Sequence, residues 1–141
     1  MLPKLRKIEN RNEKREAMME TKITSFRDLI AYQKAYALAL DIHKASLVFP
    51  KVEQFGGLAD QIRRASKSVA YNIAEGYARN ESSTADFKRF IVIAKSSCEE
   101  IRSQLDFCKD LGFITFDKYN EYEANCIEIR KLLSAILKKW K

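Results

Sequence analysis

One stretch of the chain combines cationic side chains with an aromatic ring in a pattern suited to nucleic-acid binding. At about 100° per residue, a helix over 61–76 separates an apolar side from a basic one. The apolar side holds Ile62, Ala65, Val69 and Ile73. The opposite side holds Arg63, Arg64, Lys67 and Tyr71. Guanidinium groups pair with phosphates and aromatic rings stack on unpaired bases, so this basic face suits RNA or another nucleic acid.

Further cations extend the basic face beyond this helix. The predicted nucleic-acid-binding residues are Arg63, Arg64, Lys67, Tyr71, Arg79, Lys88 and Arg89, and Lys95 would widen the patch. The alternative is a solvated face whose arginines pair with Asp60, Glu75 or a neighbouring subunit. In that case the same face would make subunit or partner-protein contacts. Both interpretations stay open on the sequence alone.

Four positions in the same helix are predicted to serve packing or subunit contact: Gln61, Asn72, Glu75 and Gly76. Asn72 lies at the edge of the apolar stripe, where a polar residue fixes the register of packed helices. Glu75 is expected to bond a neighbouring helix or subunit, because no second carboxylate, histidine or nucleophile accompanies it for catalysis. Gly76 and nearby small residues permit close helix approach.

The remaining reactive side chains form no catalytic or metal-binding pattern. His43 is the single histidine, which excludes the paired motifs of di-iron bundles and zinc proteases. The cysteines are Cys98, Cys108 and Cys126. Their spacing is not that of a metal site, so we expect reduced thiols buried as small hydrophobes. No base is spaced to activate the serine pair at 96–97. We therefore expect no enzymatic activity, no metal and no cofactor.

Two amphipathic segments account for the first half of the predicted fold. The first precedes the basic face and the second contains it. The first is predicted to begin at Ser25, where the run Ser25-Phe26-Arg27-Asp28 resembles a capping box, and to end near Phe49-Pro50. Its predicted buried stripe includes Phe26, Leu29, Ile30, Tyr36, Ala37, Leu40 and Leu47. The second starts at Leu58 and reaches Gly76 or a few residues beyond.

Two further segments carry heptad seams, with apolar residues alternately three and four apart. Ser83 or Thr84 caps the third helix, Gly112 ends it in a left-handed conformation, and Thr115 caps the fourth. The third seam is Phe87, Ile91, Ala94, Cys98, Ile101, Leu105 and Cys108, and the fourth is Tyr119, Tyr122, Cys126, Ile129, Leu133, Ile136 and Trp140. Short connections then predict an all-α, antiparallel up-down-up-down four-helix bundle.

Composition fits one such domain. The 141 residues are 46% hydrophobic and 32% charged, and four glycines and two prolines leave little material for β-turns or phosphate loops. The net charge is +7. Residues 1–22 carry seven bases and four acids without an apolar stripe, so we expect a flexible charged N-terminal arm before a bundle domain at 23–141.

No apolar run approaches the roughly 18 residues of a membrane span, and the N-terminus is charged. These features predict a cytoplasmic protein without membrane contact.

Together these segments resemble a known bacterial family, the four-helix-bundle proteins encoded in intervening sequences of large-subunit ribosomal RNA genes. The resemblance covers residues 26–140. The segments that carry it are Phe26-Arg27-Asp28-Leu29, Phe49-Pro50-Lys51-Val52-Glu53, Gln61-Ile62-Arg63-Arg64-Ala65, Asn72-Ile73-Ala74-Glu75-Gly76 and the run from Phe87 to Glu100. The chain departs from the family where Ser96-Ser97 replaces a common Gly-Ser pair.

The resemblance implies a ring-like homopentamer without assigned enzymatic activity. It also implies similarity to the accessory proteins of diversity-generating retroelements, which are pentamers that bind nucleic acid and a reverse transcriptase. We therefore expect a non-enzymatic, homo-oligomeric bundle that binds structured RNA or another nucleic acid through the face of helices two and three. Its expected partners are itself, a nucleic acid and a protein such as a reverse transcriptase. The competing hypothesis is a protein-interaction scaffold.

Overall fold

The computed structural model describes residues 23–140, and this part of the chain is helical, without a strand. Its α-helices are α1 (Ile30–Ser46), α2 (Leu58–Ala78), α3 (Thr84–Asp110) and α4 (Phe116–Lys139). Short 3-10 turns occupy Phe26–Asp28 and Lys51–Glu53. The predicted all-α class is confirmed, and the four helices are consistent with a four-helix bundle. The predicted arm at 1–22 lies outside the described residues.

Each long helix packs on two others. α1 contacts α2 and α4, and α3 contacts the same two helices. The α2–α3 contact is close, because a Cβ atom added at Gly76 would lie 2.9 Å from the Cβ of Phe90. Elsewhere on the same two helices, the hydroxyls of Ser68 and Ser97 lie 3.0 Å apart. Because the helices contact one another in the cyclic order α1, α2, α3, α4, the surface between α1 and α2 faces away from the surface between α3 and α4.

The predicted heptad seams of α3 and α4 face the hydrophobic core. All seven seam residues of α3 are buried, with at most 1% of their surface exposed. In α4 the central seam residues Tyr122, Cys126, Ile129 and Leu133 are buried. Tyr119, Ile136 and Trp140, at the two ends of that seam, are partly buried and pack against the core.

The predicted ends of α3 and α4 are also confirmed. The Ser83 hydroxyl accepts a hydrogen bond from the backbone N–H of Asp86 (3.1 Å), and the Thr115 hydroxyl accepts one from the N–H of Lys118 (3.2 Å). Each hydroxyl satisfies a backbone donor that a helix terminus leaves free. Gly112 has a φ of +77°, the left-handed conformation expected after α3.

The C-terminal end of α4 closes on the turn between α2 and α3. The indole ring of Trp140 stacks on the ring of Phe87, with centroids 5.1 Å apart and planes 18° from parallel. The indole N–H also donates to the side-chain oxygen of Asn80 (3.4 Å). Trp140 thus joins the end of α4 to α3 and to the α2–α3 turn at one end of the fold.

The first helix differs from its prediction in both its start and its buried face. The capping box at Ser25–Asp28 is present, but it caps a 3-10 turn, and Leu29 adopts an extended conformation before α1 begins. The residues of α1 that are buried are Ala31, Ala35, Leu38, Ala39, Ile42 and Ser46. Of the predicted stripe only Leu29 is buried, whereas Ile30, Tyr36, Leu40 and Leu47 are exposed. Apolar residues occur all round this helix, so its periodicity did not identify the face that packs.

No helix within residues 23–140 is both long and apolar enough to cross a membrane.

Candidate nucleic-acid interface

Arg63 is held by the connection between α1 and α2. Its guanidinium donates to the Ser46 hydroxyl (2.8 Å), the Gln54 side-chain oxygen (3.0 Å) and the Gln54 carbonyl (2.9 Å). The Gln54 amide in turn donates to the backbone carbonyls of Ser46 (2.8 Å) and Phe49 (3.0 Å). Arg63 therefore holds the α1–α2 connection in place, and the three groups that accept its hydrogen bonds are uncharged.

Three other predicted arginines pair with acids three or four residues earlier in the chain. In α2, Arg64 lies 3.1 Å from Asp60, and the C-cap residue Arg79 lies 3.0 Å from Glu75. In α3, Arg89 lies 3.7 Å from an oxygen of Asp86. Asp60 and Glu75 are the two acids that the solvated-face alternative names as partners of the arginines. Glu75 was expected to bond a neighbouring helix or subunit, and within the described chain its carboxylate pairs with Arg79, the C-cap residue of α2.

The predicted basic residues form two groups rather than one patch. Arg79 and Arg89 lie together, because their guanidinium carbons are 5.0 and 5.5 Å from the ring centre of Phe90. Lys88 is half-buried at the start of α3, beside this group in sequence. Arg63 is sixteen residues before Arg79, the C-cap residue of the same helix, which places the two about 24 Å apart. A single small ligand would not span both groups.

The second group lies in a groove between α1 and α2, called here the α1–α2 groove. Its volume is about 320 Å³, and it is lined by Tyr32, Tyr36, Ala39, Leu40, His43, Lys67, Ala70 and Tyr71. The rings of Tyr32 and Tyr36 are stacked, with centroids 6.0 Å apart and planes at 26°. Tyr71 is 68% exposed. Among the described residues no carboxylate lines this groove, so the Lys67 ammonium is not neutralised there.

The charge on the groove depends on His43. Burial is the largest influence that lowers the pKa of His43, and the positive charges of Lys67 and Arg63 lower it further. A pKa below the usual 6.5 leaves the imidazole neutral at pH 7. A neutral imidazole has one donor and one acceptor, so His43 offers hydrogen bonds rather than charge.

Sequence reasoning found Lys67 and Tyr71 of this groove and missed its α1 wall. Tyr36 was assigned to the core, His43 served only to exclude paired-histidine motifs, and Tyr32 was not singled out. Their spacing of four and then seven residues keeps all three on one flank of a helix. That flank becomes a candidate only after the packing of α1 on α2 is known.

The residues predicted for packing occupy distinct positions on α2. Gln61 is exposed and donates to the carbonyl of Gly56 (3.2 Å). Asn72 donates to the carbonyl (2.8 Å) and the hydroxyl (3.0 Å) of Ser68, so it is bonded within its own helix. Gly76 is buried against α3, where an added Cβ would also lie 3.2 Å from the carbonyl oxygen of Phe87. In this chain Gly76 therefore belongs to the α2–α3 contact.

The thiols are buried, and the acidic side chains in the described part of the chain are not clustered as metal ligands. Cys98, Cys108 and Cys126 are free and buried. Burial raises the pKa of Cys98 and of Cys108 to about 12 and also raises that of Cys126. Such thiols stay protonated and are poor nucleophiles. Within residues 23–140 no group of three or more His, Cys, Asp or Glu side chains is placed to hold a metal ion.

The fold and the groove together define a small helical protein with an aromatic-lined groove that holds Lys67 and His43. The profile of the 23S rRNA-intervening sequence proteins matches residues 27–135, and the chain belongs to this family. It is also similar to a crystal structure of a protein with unknown function from the S23 ribosomal protein family of Bacteroides thetaiotaomicron. That similarity has a TM-score of 0.70 and 26% identity, and it covers 77% of this chain and 96% of the other. No curated protein is similar enough to count as a match.

Proposed function

We propose that this family member is a non-enzymatic, homo-oligomeric four-helix bundle that binds unpaired bases of a structured RNA, or another single-stranded nucleic acid, in the α1–α2 groove. The observation that carries this proposal is the lining of the groove. One free cation, Lys67, lies among the rings of Tyr32, Tyr36 and Tyr71, without a carboxylate among the lining residues that the structure describes. Proteins that bind single strands combine basic grooves with aromatic platforms in this way.

Each group in the groove would contact a different part of a nucleotide. The exposed ring of Tyr71 offers a face on which a base stacks, and such stacking contributes about 1–3 kcal/mol per base. The Lys67 ammonium would pair with the adjacent phosphate. The neutral imidazole of His43 would bond to the edge of the base.

The finer architecture that belongs to this proposal is an antiparallel, up-down-up-down bundle. Two contacts between α2 and α3 support it, because Ser68 meets Ser97 whereas the later Gly76 meets the earlier Phe90. Two contacts between α3 and α4 support it as well: Arg102 bonds Glu123 (2.8 Å), and Asp106 bonds Tyr119 (2.8 Å). In both cases residue numbers rise along one helix as they fall along the other.

We also place the protein in the cytoplasm, because free cysteines suit a reducing compartment.

The test is a titration of the full chain with a single-stranded RNA, a hairpin RNA with an unpaired loop and a duplex DNA, at two salt concentrations. Tyr71→Ala should weaken binding of the unpaired RNAs by about 5- to 150-fold, the equivalent of one lost stacked base. Lys67→Gln should reduce the salt slope by about 0.7, the contribution of one single-strand phosphate contact.

Lys44→Gln is the matched control, because Lys44 is exposed and lies outside the groove lining. It removes the same charge and should leave binding of the unpaired RNAs nearly unchanged. Equal losses in Lys44→Gln and Lys67→Gln would show that only net charge matters, and unchanged binding in Tyr71→Ala would contradict the groove as the site.

A specific observation favours self-association or protein docking as an additional role. Large apolar side chains are exposed at the end of the fold where the α1–α2 and α3–α4 connections meet, and this surface is called the apolar end. Its residues are Val48, Val52, Phe55, Phe107, Leu111 and Phe116, each more than half exposed. The rings of Phe49 and Phe113, 5.3 Å apart, join the two connections. Exposed apolar clusters mark interaction sites, so we assign the homo-oligomer contact to the apolar end. A protein partner such as a reverse transcriptase would compete for it.

A further inference from the structure

A second basic surface lies between α3 and α4, called here the cationic cleft. Its volume is about 420 Å³, and it is lined by Lys95, Arg130, Lys131, Ser134, Ala135 and Lys138. The α4 residues at 131, 134 and 138 follow a spacing of three and four, which keeps them on one flank of the helix. Lys95 approaches from α3. The cleft thus brings together four cations and a hydroxyl from two helices.

The positive charge of the cationic cleft is largely uncompensated. Within residues 23–140, neither Lys95 nor Lys131 nor Lys138 has an acidic side chain within ion-pair distance. Arg130 lies 3.3 Å from Glu99, but that carboxylate also pairs with Arg102 at 3.0 Å. Like charges gathered without counter-charge repel one another, and an anion in the cleft would relieve that repulsion.

The shape of the cleft favours a ligand with repeated phosphates. From Lys131 to Lys138 the cations extend over seven residues of helix, or about 10 Å. A single phosphate group is smaller than this span, whereas consecutive phosphates of a nucleic-acid strand would each meet a cation. The cleft lacks aromatic side chains among its lining residues, so it would contact the phosphate backbone and make no stacking contact with the bases.

We propose that the cationic cleft binds the backbone of a second nucleic-acid segment, so that one protomer holds two segments on opposite sides. The inference rests on the proposed function, because it assigns the first segment to the α1–α2 groove. The geometry follows from the helix packing: the groove lies between α1 and α2, the cleft lies between α3 and α4, and the two surfaces face away from each other. A protein with this arrangement would bridge two strands.

The experiment measures energy transfer between two single-stranded RNAs of unrelated sequence, one with a donor dye and one with an acceptor, mixed with the full chain. The wild-type protein should bring the dyes together. The double variant Lys131→Gln/Lys138→Gln removes two phosphate contacts and should weaken bridging by about 20-fold near 0.1 M salt. Binding of one RNA at the groove should fall much less. That binding is measured by the fluorescence change that accompanies base stacking in the groove.

Lys44→Gln/Lys51→Gln is the matched control, since it removes the same charge at exposed lysines that line neither surface. Circular dichroism and the mass in solution show whether each variant keeps the wild-type fold and assembly. Bridging that survives in Lys131→Gln/Lys138→Gln would overturn the cleft, because it would come from grooves of different subunits. A wild-type protein that binds one RNA without bridging would also overturn it. If no RNA binds at all, the proposed function itself fails.

Discussion

His43 connects the groove to pH, because burial and the charges of Lys67 and Arg63 all oppose its protonation. The folded state therefore binds a proton at His43 less tightly than the unfolded chain does. Since the pKa is lowered on folding, the contribution of His43 to stability is fully present above the unfolded value of about 6.5 and is lost as pH falls through the lower, folded value.

We predict that the free energy of unfolding decreases between pH 7 and pH 5, and that His43→Gln removes most of this decrease. The chain contains one histidine, so no other imidazole titrates in this interval. Urea denaturation of both proteins at several pH values measures the effect. A decrease of the same size in His43→Gln would assign the pH dependence to other groups.

Individual site residues were only partly predictable from the sequence. The helical wheel placed Lys67 and Tyr71 on the exposed side of α2, because that position depends only on local periodicity. The role of Arg63 was not predictable, since its partners Ser46 and Gln54 are seventeen and nine residues earlier in the chain. The cationic cleft was missed for the same reason: Lys95 and Lys138 line one cleft only after α3 packs on α4.

At the scale of helices, the close contact of α2 with α3 depends on the missing side chain of Gly76. We predict that Gly76→Ala destabilises the fold by about 1–3 kcal/mol, because the added methyl group would overlap Phe90 and crowd the carbonyl of Phe87. In a helix without such a contact the same change would stabilise by up to about 1 kcal/mol. The sign of the change therefore reports the packing. Denaturant titration measures it.

Ala78→Gly serves as the control for Gly76→Ala, because Ala78 is exposed on the last turn of the same helix. It should cost only the propensity difference, about 0.5–1 kcal/mol. A Gly76→Ala variant as stable as the wild type, or more stable, would mean that α2 and α3 separate without cost.

The buried faces of the helices were not predicted equally well from the sequence. The seams of α3 and α4 were predicted because their apolar residues are regularly spaced and flanked by charges. In α1, Ala31, Ala35 and Ala39 are buried while larger side chains such as Tyr36 and Leu40 stay exposed. Size and hydrophobicity pointed to the wrong face there. Close helix packing favours small residues, and a pattern based on hydrophobicity alone does not detect that preference.

For the whole molecule, the apolar end is the proposed contact between subunits. We predict that Phe55→Ser/Phe116→Ser lowers the mass in solution by breaking that contact, as light scattering coupled to gel filtration would measure. Phe55 is 92% exposed and Phe116 is 66% exposed, so their replacement should leave the fold of each protomer intact.

Val92→Ser/Ile93→Ser is the corresponding control, because both residues are exposed on α3 outside the apolar end. This variant should keep the wild-type mass. A loss of assembly in the control and not in Phe55→Ser/Phe116→Ser would move the contact to α3. A wild-type protein that is monomeric at micromolar concentration would contradict self-association altogether.

Trp140 is the single tryptophan of the chain, and it lies stacked on Phe87 where α4 closes on the α2–α3 turn. Its emission is therefore a natural optical signal for that closure. If the last turn of α4 loosens before the rest of the fold, the indole enters water and its emission shifts to longer wavelength, while the helical circular dichroism hardly changes. Comparing the two signals along one denaturation curve would show whether the molecule opens first at this end or unfolds as a single unit.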